Sequence, residues 1–231
     1  MKVFADLHIH SLVSDGSLHP SDIVKISKAR SIQVFSITDH NTFLGSLIAD
    51  RFVDKKTQIL VYGAEVRTYL GDMLMLCPKP ITTIKYELPD LIDICKDNNC
   101  LLIPSHPYDI LRLGIRGNIK MGLWDAIEVF NGSSDLISNL MTYIMARNTN
   151  IPLLSNSDAH VGELIGCSYN IINVDNFDVD DVLESIRKGK VKPIMKYSVR
   201  GNISRACWGL KRYIHGYKLR DLRDEARFSK P

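Results

Sequence analysis

The sequence has no apolar run approaching the roughly 18 residues a membrane-crossing helix requires. Its first residues, MKVFADLHIH, lack the apolar stretch and small-residue cleavage site of a secretory leader. A cytoplasmic protein that does not engage membranes is expected. The cysteines, Cys77, Cys95, Cys100, Cys167 and Cys207, are odd in number, and their one short spacing, Cys95 to Cys100, has no second pair to complete a zinc module. They read as reduced packing residues. Internal repeats, low-complexity runs and Gly-, Pro- or Ser-rich linkers are missing as well, which excludes a repeat array and argues against two tethered halves.

What is present suits one folded unit: 231 residues, 45% hydrophobic, are enough to bury a single sizeable core. The net charge of +3 hides an asymmetry. Residues 187–231 hold 14 Lys/Arg against 3 Asp/Glu, while the rest of the chain holds 15 against 23. The expected organisation is therefore a main unit over 1–196 and a basic segment over 197–231, packed on it or mobile. A basic segment suits an anionic partner such as nucleic acid or a phosphorylated ligand, and equally a solvated end that balances an acidic body.

Short apolar or alternating runs recur as VFADLHI, VFSIT, ILVYGAE, LLIPS, AIEVF and PLLSN. Helical patterns lie between several of them, over residues 20–30, 43–53, 87–98, 134–148 and 178–188. The first opens on Pro20 with Asp22 in its first turn, and the last ends in Arg187-Lys188-Gly189. This alternation predicts about seven βα units with parallel strands. LGDMLMLC at 70–77 and SYNIINV at 168–174 read as extra strands.

The chemistry collects where these strands end. Side chains alternate at period two, so His8 and His10 project to one side of the first strand's end. Asp15 follows in the turn SDGS, although Asp-Gly is also an ordinary turn signature. Asp39-His40 ends the second run, with Asp39 placed to orient His40. Glu65, His106, Asp158 and His160 close later ones. Imidazoles with carboxylates suit zinc, manganese or iron, and the set is too rich for one tetrahedral ion. A multinuclear site follows, of the kind that handles phosphate esters.

DLHIHSLVSDGS, SITDHNT, GAEVR, PSHPY, AIEVFN and SNSDAH, in this order over residues 6–160, resemble the motifs of the PHP (polymerase and histidinol phosphatase) family. The resemblance implies an α/β fold, a distorted (β/α)7 TIM-like barrel with a metal site at the C-terminal ends of its strands. It further implies that His8, His10, Asp15, His40, Glu65, His106, Asp158 and His160 ligate two or three divalent ions (Mn, Zn, Fe or Mg). Glu65 would bridge two of them, with a metal-bridging water as nucleophile. Glu128 and Asn131 are candidates for a further oxygen ligand or for shaping the rim. Residues 107–157 contain no histidine or cysteine, whereas many trinuclear members carry a histidine in that interval. Arg67, Arg112 and Arg116 are candidates to meet substrate phosphate.

The activity so implied is hydrolysis of a phosphomonoester or terminal phosphodiester, on a nucleotide or short oligonucleotide. One alternative is a single-strand nuclease, for which Trp208, Tyr213, Tyr217 and Phe228 in the basic segment offer stacking surfaces. Another is a non-catalytic metal-binding or structural PHP module. His19 and His215 are read as structural or exposed.

Overall fold

A computed structural model describes residues 1–215. Tyr217 and Phe228 lie outside the described residues, as does the side chain of His215. The strands are β1 (Lys2–Ile9), β2 (Val34–Ile37), β3 (Ile59–Arg67), β4 (Asp72–Cys77), β5 (Leu101–Pro104), β6 (Ile127–Asn131), β7 (Leu153–Asn156), β8 (Tyr169–Asn173) and β9 (Val191–Ile194). The helices are α1 (Pro20–Ala29), α2 (Leu44–Asp50), α3 (Leu88–Asp97), α4 (Leu136–Ala146), α5 (Val179–Arg187) and α6 (Val199–His215).

Seven strands form one curled sheet in the order β5-β4-β3-β2-β1-β8-β9, and β6 and β7 form a separate parallel pair. The pair is fastened to the sheet largely by side chains rather than by continuous ladders. Asn170 Oδ1 accepts from Ser155 N at 2.9 Å on the β8 side. Asp125 Oδ2 accepts from Leu102 N at 2.8 Å on the β5 side. Asn156 Oδ1, at the end of β7, accepts from Leu7 N in β1 at 3.1 Å. The architecture is thus a mixed α/β fold around a half-barrel sheet.

The expected run of strict βα units breaks at the two segments read as extra strands. β4 and β8 both run antiparallel to their neighbours. The reason is loop length: only residues 68–71 separate β3 from β4, and a parallel return needs a crossover of about a dozen residues or more. That short connection closes through Thr68 Oγ1, which donates to Gly71 O at 2.7 Å. Gly71 has φ +149, a conformation L side chains rarely adopt.

Helix starts follow the sequence signals. Pro20 opens α1, and the His19 ring caps it by accepting from Ser21 N at 3.2 Å. Asp135 caps α4 and Asp178 caps α5 through their carboxylates. The core forms three apolar clusters. Val3, Ala5 and Leu7 of β1 meet Val182, Leu183 and Ile186 of α5 in one. α3 packs Leu91 and Cys95 against β4 and β5 in the second, and α1 and α2 cover β1 and β2 in the third. Truncating one such buried leucine typically costs about 2–5 kcal/mol.

Part of the basic segment is packed. α6 lies along the mouth of the sheet, with Asn202 Nδ2 donating to Gly132 O at 2.8 Å and Trp208 Nε1 to Asp15 O at 2.9 Å. Close approach is possible because residue 201 is glycine: a Cβ there would stand 2.5 Å from Leu164 Cδ2. Among the described residues no helix is long and apolar enough to cross a membrane.

The cysteines correct the reading of a fully reduced set. Antiparallel register sets Leu76 opposite Leu101, which brings the next pair, Cys77 and Cys100, together with Cα atoms 4.2 Å apart in a disulfide. A spacing of 23 residues carried no sign of this. Cys95, Cys167 and Cys207 are free, and burial pushes the Cys95 and Cys167 thiols up to about 12. Alkylation of the denatured, unreduced protein should therefore modify three of its five cysteines. Mass spectrometry showing five alkylated cysteines would rule out the Cys77–Cys100 bond.

Candidate metal centre

The site forms where β1, β2, β3, β5 and β7 end. Its first two residues follow from β1, whose strand geometry turns His8 and His10 to one side, their Nε2 atoms 3.1 Å apart. The chain then folds back so tightly that a Cβ on Gly16 would stand 2.2 Å from His10 O. That reversal, required of the SDGS turn, returns Asp15 to within 3.5 Å of His10 Nδ1. The loop is braced by Asp39, whose carboxylate accepts from Ser11 N at 2.8 Å, Ser11 Oγ at 2.6 Å and Ser14 Oγ at 2.5 Å. Gly45 leaves room for it, since a Cβ there would stand 1.9 Å from Asp39 Oδ2. Asp39 thus braces the 11–14 loop rather than orienting His40, as the sequence reading had it.

Glu65 stands at the centre. Its Oε1 lies 3.0 Å from His106 Nε2 and 3.5 Å from His8 Nε2, and its Oε2 lies 3.1 Å from His40 Nδ1 and 3.4 Å from His10 Nε2. Ser105 Oγ donates to Oε1 at 2.8 Å. Asp158 Oδ1 is 3.2 Å from His10 Nε2 and 3.4 Å from His8 Nε2. His160 Nε2 is 3.2 Å from Asp15 Oδ2, and its Nδ1 is 2.9 Å from Asp158 O. The structure thus gathers His8, His10, Asp15, His40, Glu65, His106, Asp158 and His160 into one cluster.

Asp158 and His106 hold their places with φ of +50 and +32, sparsely populated for residues other than glycine. Such strain persists only where surroundings over-determine it. Asp6 supplies part of that frame: it accepts from Ser157 N and Oγ and from Gly166 N, and burial raises its pKa to about 6. Asp6 was overlooked in the sequence although it continues the period-two series Asp6, His8, His10.

The remaining candidates are placed differently. Glu128 accepts from Asn156 Nδ2 at 3.0 Å, His106 N at 2.8 Å and Asn131 Nδ2 at 2.9 Å, and pairs with His8 Nδ1 at 2.9 Å. Asn131 Oδ1 accepts from Ser133 N and Ser134 N. With these lone pairs engaged, Glu128 orients the His8 ring from behind and Asn131 steadies Glu128, in place of direct ligation. Arg67 forks onto Asp72 at 3.0 and 3.4 Å. Arg112 is tied to Asp158, to Asp109 at 3.0 Å and to Ser134 Oγ at 2.8 Å. Arg116 is exposed in the 3-10 turn Arg116–Met121. Asp72, which joins Glu65 and His106 in a third ligand-type group, was also missed. An acid at the head of an apolar strand is its only trace in the sequence.

The donor set fits divalent ions. Three overlapping groups have ligand atoms within 4.8 Å of one another: His10-Asp15-His40-His160, His8-His10-Glu65 and Glu65-Asp72-His106. Buried Asp158 Oδ1 and His106 Nδ1 have no hydrogen-bond partner among the described residues. Two imidazole nitrogens at 3.1 Å, as in His8 and His10, require a cation or a shared proton between them.

Where no cation balances these carboxylates, protons on the imidazoles do. Burial works against a charged His8, but Asp158, Glu128 and Glu65 outweigh it and hold the ring well above its ordinary value. His40 goes up to about 10 in the same way, through Asp15 and Glu65, and His160 is raised by Asp15. His10 is lowered by burial and by His160. Burial is overcome again at Glu65, held well below the carboxylate range by His8 and His106, and at Asp158, held there by Arg112.

A metal ion needs neutral imidazole, so loading must displace these protons, and affinity must rise with pH. At pH 7, binding of Mn²⁺ should therefore release protons. Calorimetry in buffers of different ionisation enthalpy measures this, and a heat independent of the buffer would mean that His8, His40 and His160 are not ligands.

Comparison with known proteins bears on the fold rather than on this geometry. A family model described as "PHP-associated" matches residues 137–191. An uncharacterized protein of Methanocaldococcus jannaschii is 25% identical over 243 residues, aligned with 100% of this chain and 95% of its own. A second from that organism is 29% identical over 138 residues, 55% of this chain and 81% of that protein. A 5'-3' exoribonuclease of Haemophilus influenzae is 35% identical over 63 residues, only 27% of this chain and 23% of the enzyme. Among solved structures, a two-domain protein of Bacteroides vulgatus, described as containing a predicted PHP-like metal-dependent phosphoesterase, superposes with a TM-score of 0.65 at 16% identity. The match covers 85% of this chain and 65% of that one. The lesion-specific endonuclease PfuEndoQ of Pyrococcus furiosus gives 0.59 at 16% identity, over 89% of this chain and 66% of its own. The "PHP-associated" match spans residues 137–191, less than half of the chain, and the two solved structures, each at 16% identity, share its fold.

Proposed function

We propose that the protein is a metal-dependent phosphoesterase that hydrolyses a phosphomonoester or terminal phosphodiester of a nucleotide or short oligonucleotide. The observation that carries this reading is the position of Glu65, with one carboxylate oxygen facing His106 and His8 and the other facing His40 and His10. A carboxylate so shared suits a bridge between neighbouring ions. The overlapping ligand-type groups support two or three of them. Divalent ions held there would supply a nucleophilic water at neutral pH and would neutralise the oxygens of a bound phosphate. The strand directions support a distorted (β/α)7 barrel into which β4 and β8 are inserted.

The chain's own residues account for orientation. Glu128 fixes the His8 ring, Asp39 holds the loop that presents Asp15, and Arg112 neutralises the outer oxygen of Asp158. The Asp15, His40 and His160 side chains are 24, 32 and 14% exposed, whereas those of His8, His10, Glu65 and Asp158 are buried. Substrate phosphate therefore enters on the Asp15 side.

A nuclease is the second reading, favoured by the cationic α6 along this mouth, with Arg205 and Arg212 contacting loops of the site. The names of the exoribonuclease and endonuclease relatives point the same way.

His10→Ala and Asp158→Ala should each lower bound metal and phosphoester hydrolysis together while the far-ultraviolet spectrum is retained. Glu128→Gln, acting through His8, should weaken metal binding by about 10- to 100-fold. Wild-type turnover in the first two variants would sink the reading. Salt separates the two substrate classes: turnover of a nucleotide should vary little between 50 and 200 mM salt, roughly the range over which nucleic-acid binding through several phosphate contacts falls by orders of magnitude.

A further inference from the structure

The cationic side chains near the centre are unequal in what they have left to offer a ligand. Arg67 spends Nε and Nη2 on Asp72. Arg112 spends all three nitrogens, on Asp158, Asp109 and Ser134. Arg205 donates Nη2 to Ser133 O at 3.0 Å and Nε to Asn202 Oδ1 at 3.4 Å. Arg212 differs. Its Nη1 alone is engaged, 3.1 Å from Asp15 O and 3.5 Å from Asp15 Oδ2, and its Nε and Nη2 have no partner among the described residues.

Its position matters as much as its valence. Asp15, which Arg212 touches, belongs with His40 and His160 to the solvent-open side of the cluster. The Arg212 side chain is itself 34% exposed. One turn earlier on α6, Trp208 Nε1 holds the same Asp15 carbonyl at 2.9 Å, so the helix is anchored at the point where the guanidinium projects over the mouth. Asp15 Oδ2 already faces His160 Nε2 at 3.2 Å, and an ion held by Asp15 would compete further for that oxygen. The contact at 3.5 Å is long for a charge-assisted hydrogen bond, so little is lost when the guanidinium leaves it.

We propose that Arg212 is the substrate-phosphate arginine of this site, supplied by α6: its free Nε and Nη2 bind non-bridging oxygens of a phosphate seated on the Asp15, His40 and His160 side. A planar guanidinium with two adjacent free donors matches two phosphate oxygens, which an ammonium group does not. The proposal rests on the phosphoesterase reading, and it assigns the packed part of the basic segment a direct role in binding substrate.

The test is titration of inorganic phosphate into Mn²⁺-loaded wild-type, Arg212→Ala, Arg212→Lys and Lys211→Ala proteins, with metal content and steady-state kinetics measured beside it. Arg212→Ala should weaken phosphate binding by about 10- to 100-fold, with KM raised more than kcat is lowered and metal content kept. Arg212→Lys should recover part of the loss, and Lys211→Ala, which removes a neighbouring charge, should behave as wild type. Unchanged phosphate binding in Arg212→Ala overturns the proposal alone, as does an equal loss in Lys211→Ala or a loss of metal. A metal-loaded wild-type protein that neither binds phosphate nor hydrolyses any phosphoester overturns the phosphoesterase reading and this proposal with it.

Discussion

Glu65 is buried with its two oxygens within 3.5 Å of imidazole nitrogens from His8, His10, His40 and His106, and the rest of the molecule is arranged to make that tolerable. A carboxylate out of water is costly unless paired, and so is an imidazolium. Each group is acceptable only because the other is present, and neither is stable alone. Asp158 and Arg112 repeat the arrangement beside it, with Asp109 and Ser134 absorbing the donors of Arg112 that remain. Divalent cations in place of the imidazolium protons would satisfy the same carboxylates.

Around that centre lies a supporting layer. Asp6, Asp39, Glu128 and Asn156 are buried polar residues whose hydrogen bonds run to backbone amides, hydroxyls and the backs of ligand-type rings. Between them they fix loops after β1, β5 and β7 in conformations that include two non-glycine residues at positive φ. The same residues help fasten the β6-β7 pair to the curled sheet, as Asn156 does by accepting from Leu7 N. Site geometry and closure of the fold therefore share their hydrogen bonds, and disturbing one disturbs the other.

α6 adds a layer that belongs to the mouth rather than to the centre. Gly201 lets it approach Leu164, Trp208 seats it on the Asp15 carbonyl, and Arg205 reaches Ser133 O in the loop after β6. Loops from opposite sides of the site are thereby spanned by one helix. The positive charge concentrated in residues 187–231 is partly explained by this placement, since the body it lies across is acidic.

Local pattern was enough for several of these features. The five helices from α1 to α5, with the Pro20 opening of α1, were legible from periodicity and end signals, as were the extra strands at β4 and β8. So was the clustering of ligand-type residues at strand ends, because period-two alternation and strand termini are properties of short segments. The direction of β4 and β8, the Cys77–Cys100 bond, the roles of Asp6 and Asp72 and the partners of Asp39 were not, since each depends on which distant residue comes to lie opposite. Tertiary structure alone decided that Glu128 and Asn131 face inward onto other protein groups, that Arg112 has all three nitrogens engaged and Arg67 two, and that Arg212 has one. Sequence names the residue types and the ends they occupy; only packing across the sheet determines which lone pairs and donors are left over, because that is a sum over neighbours far apart in the chain.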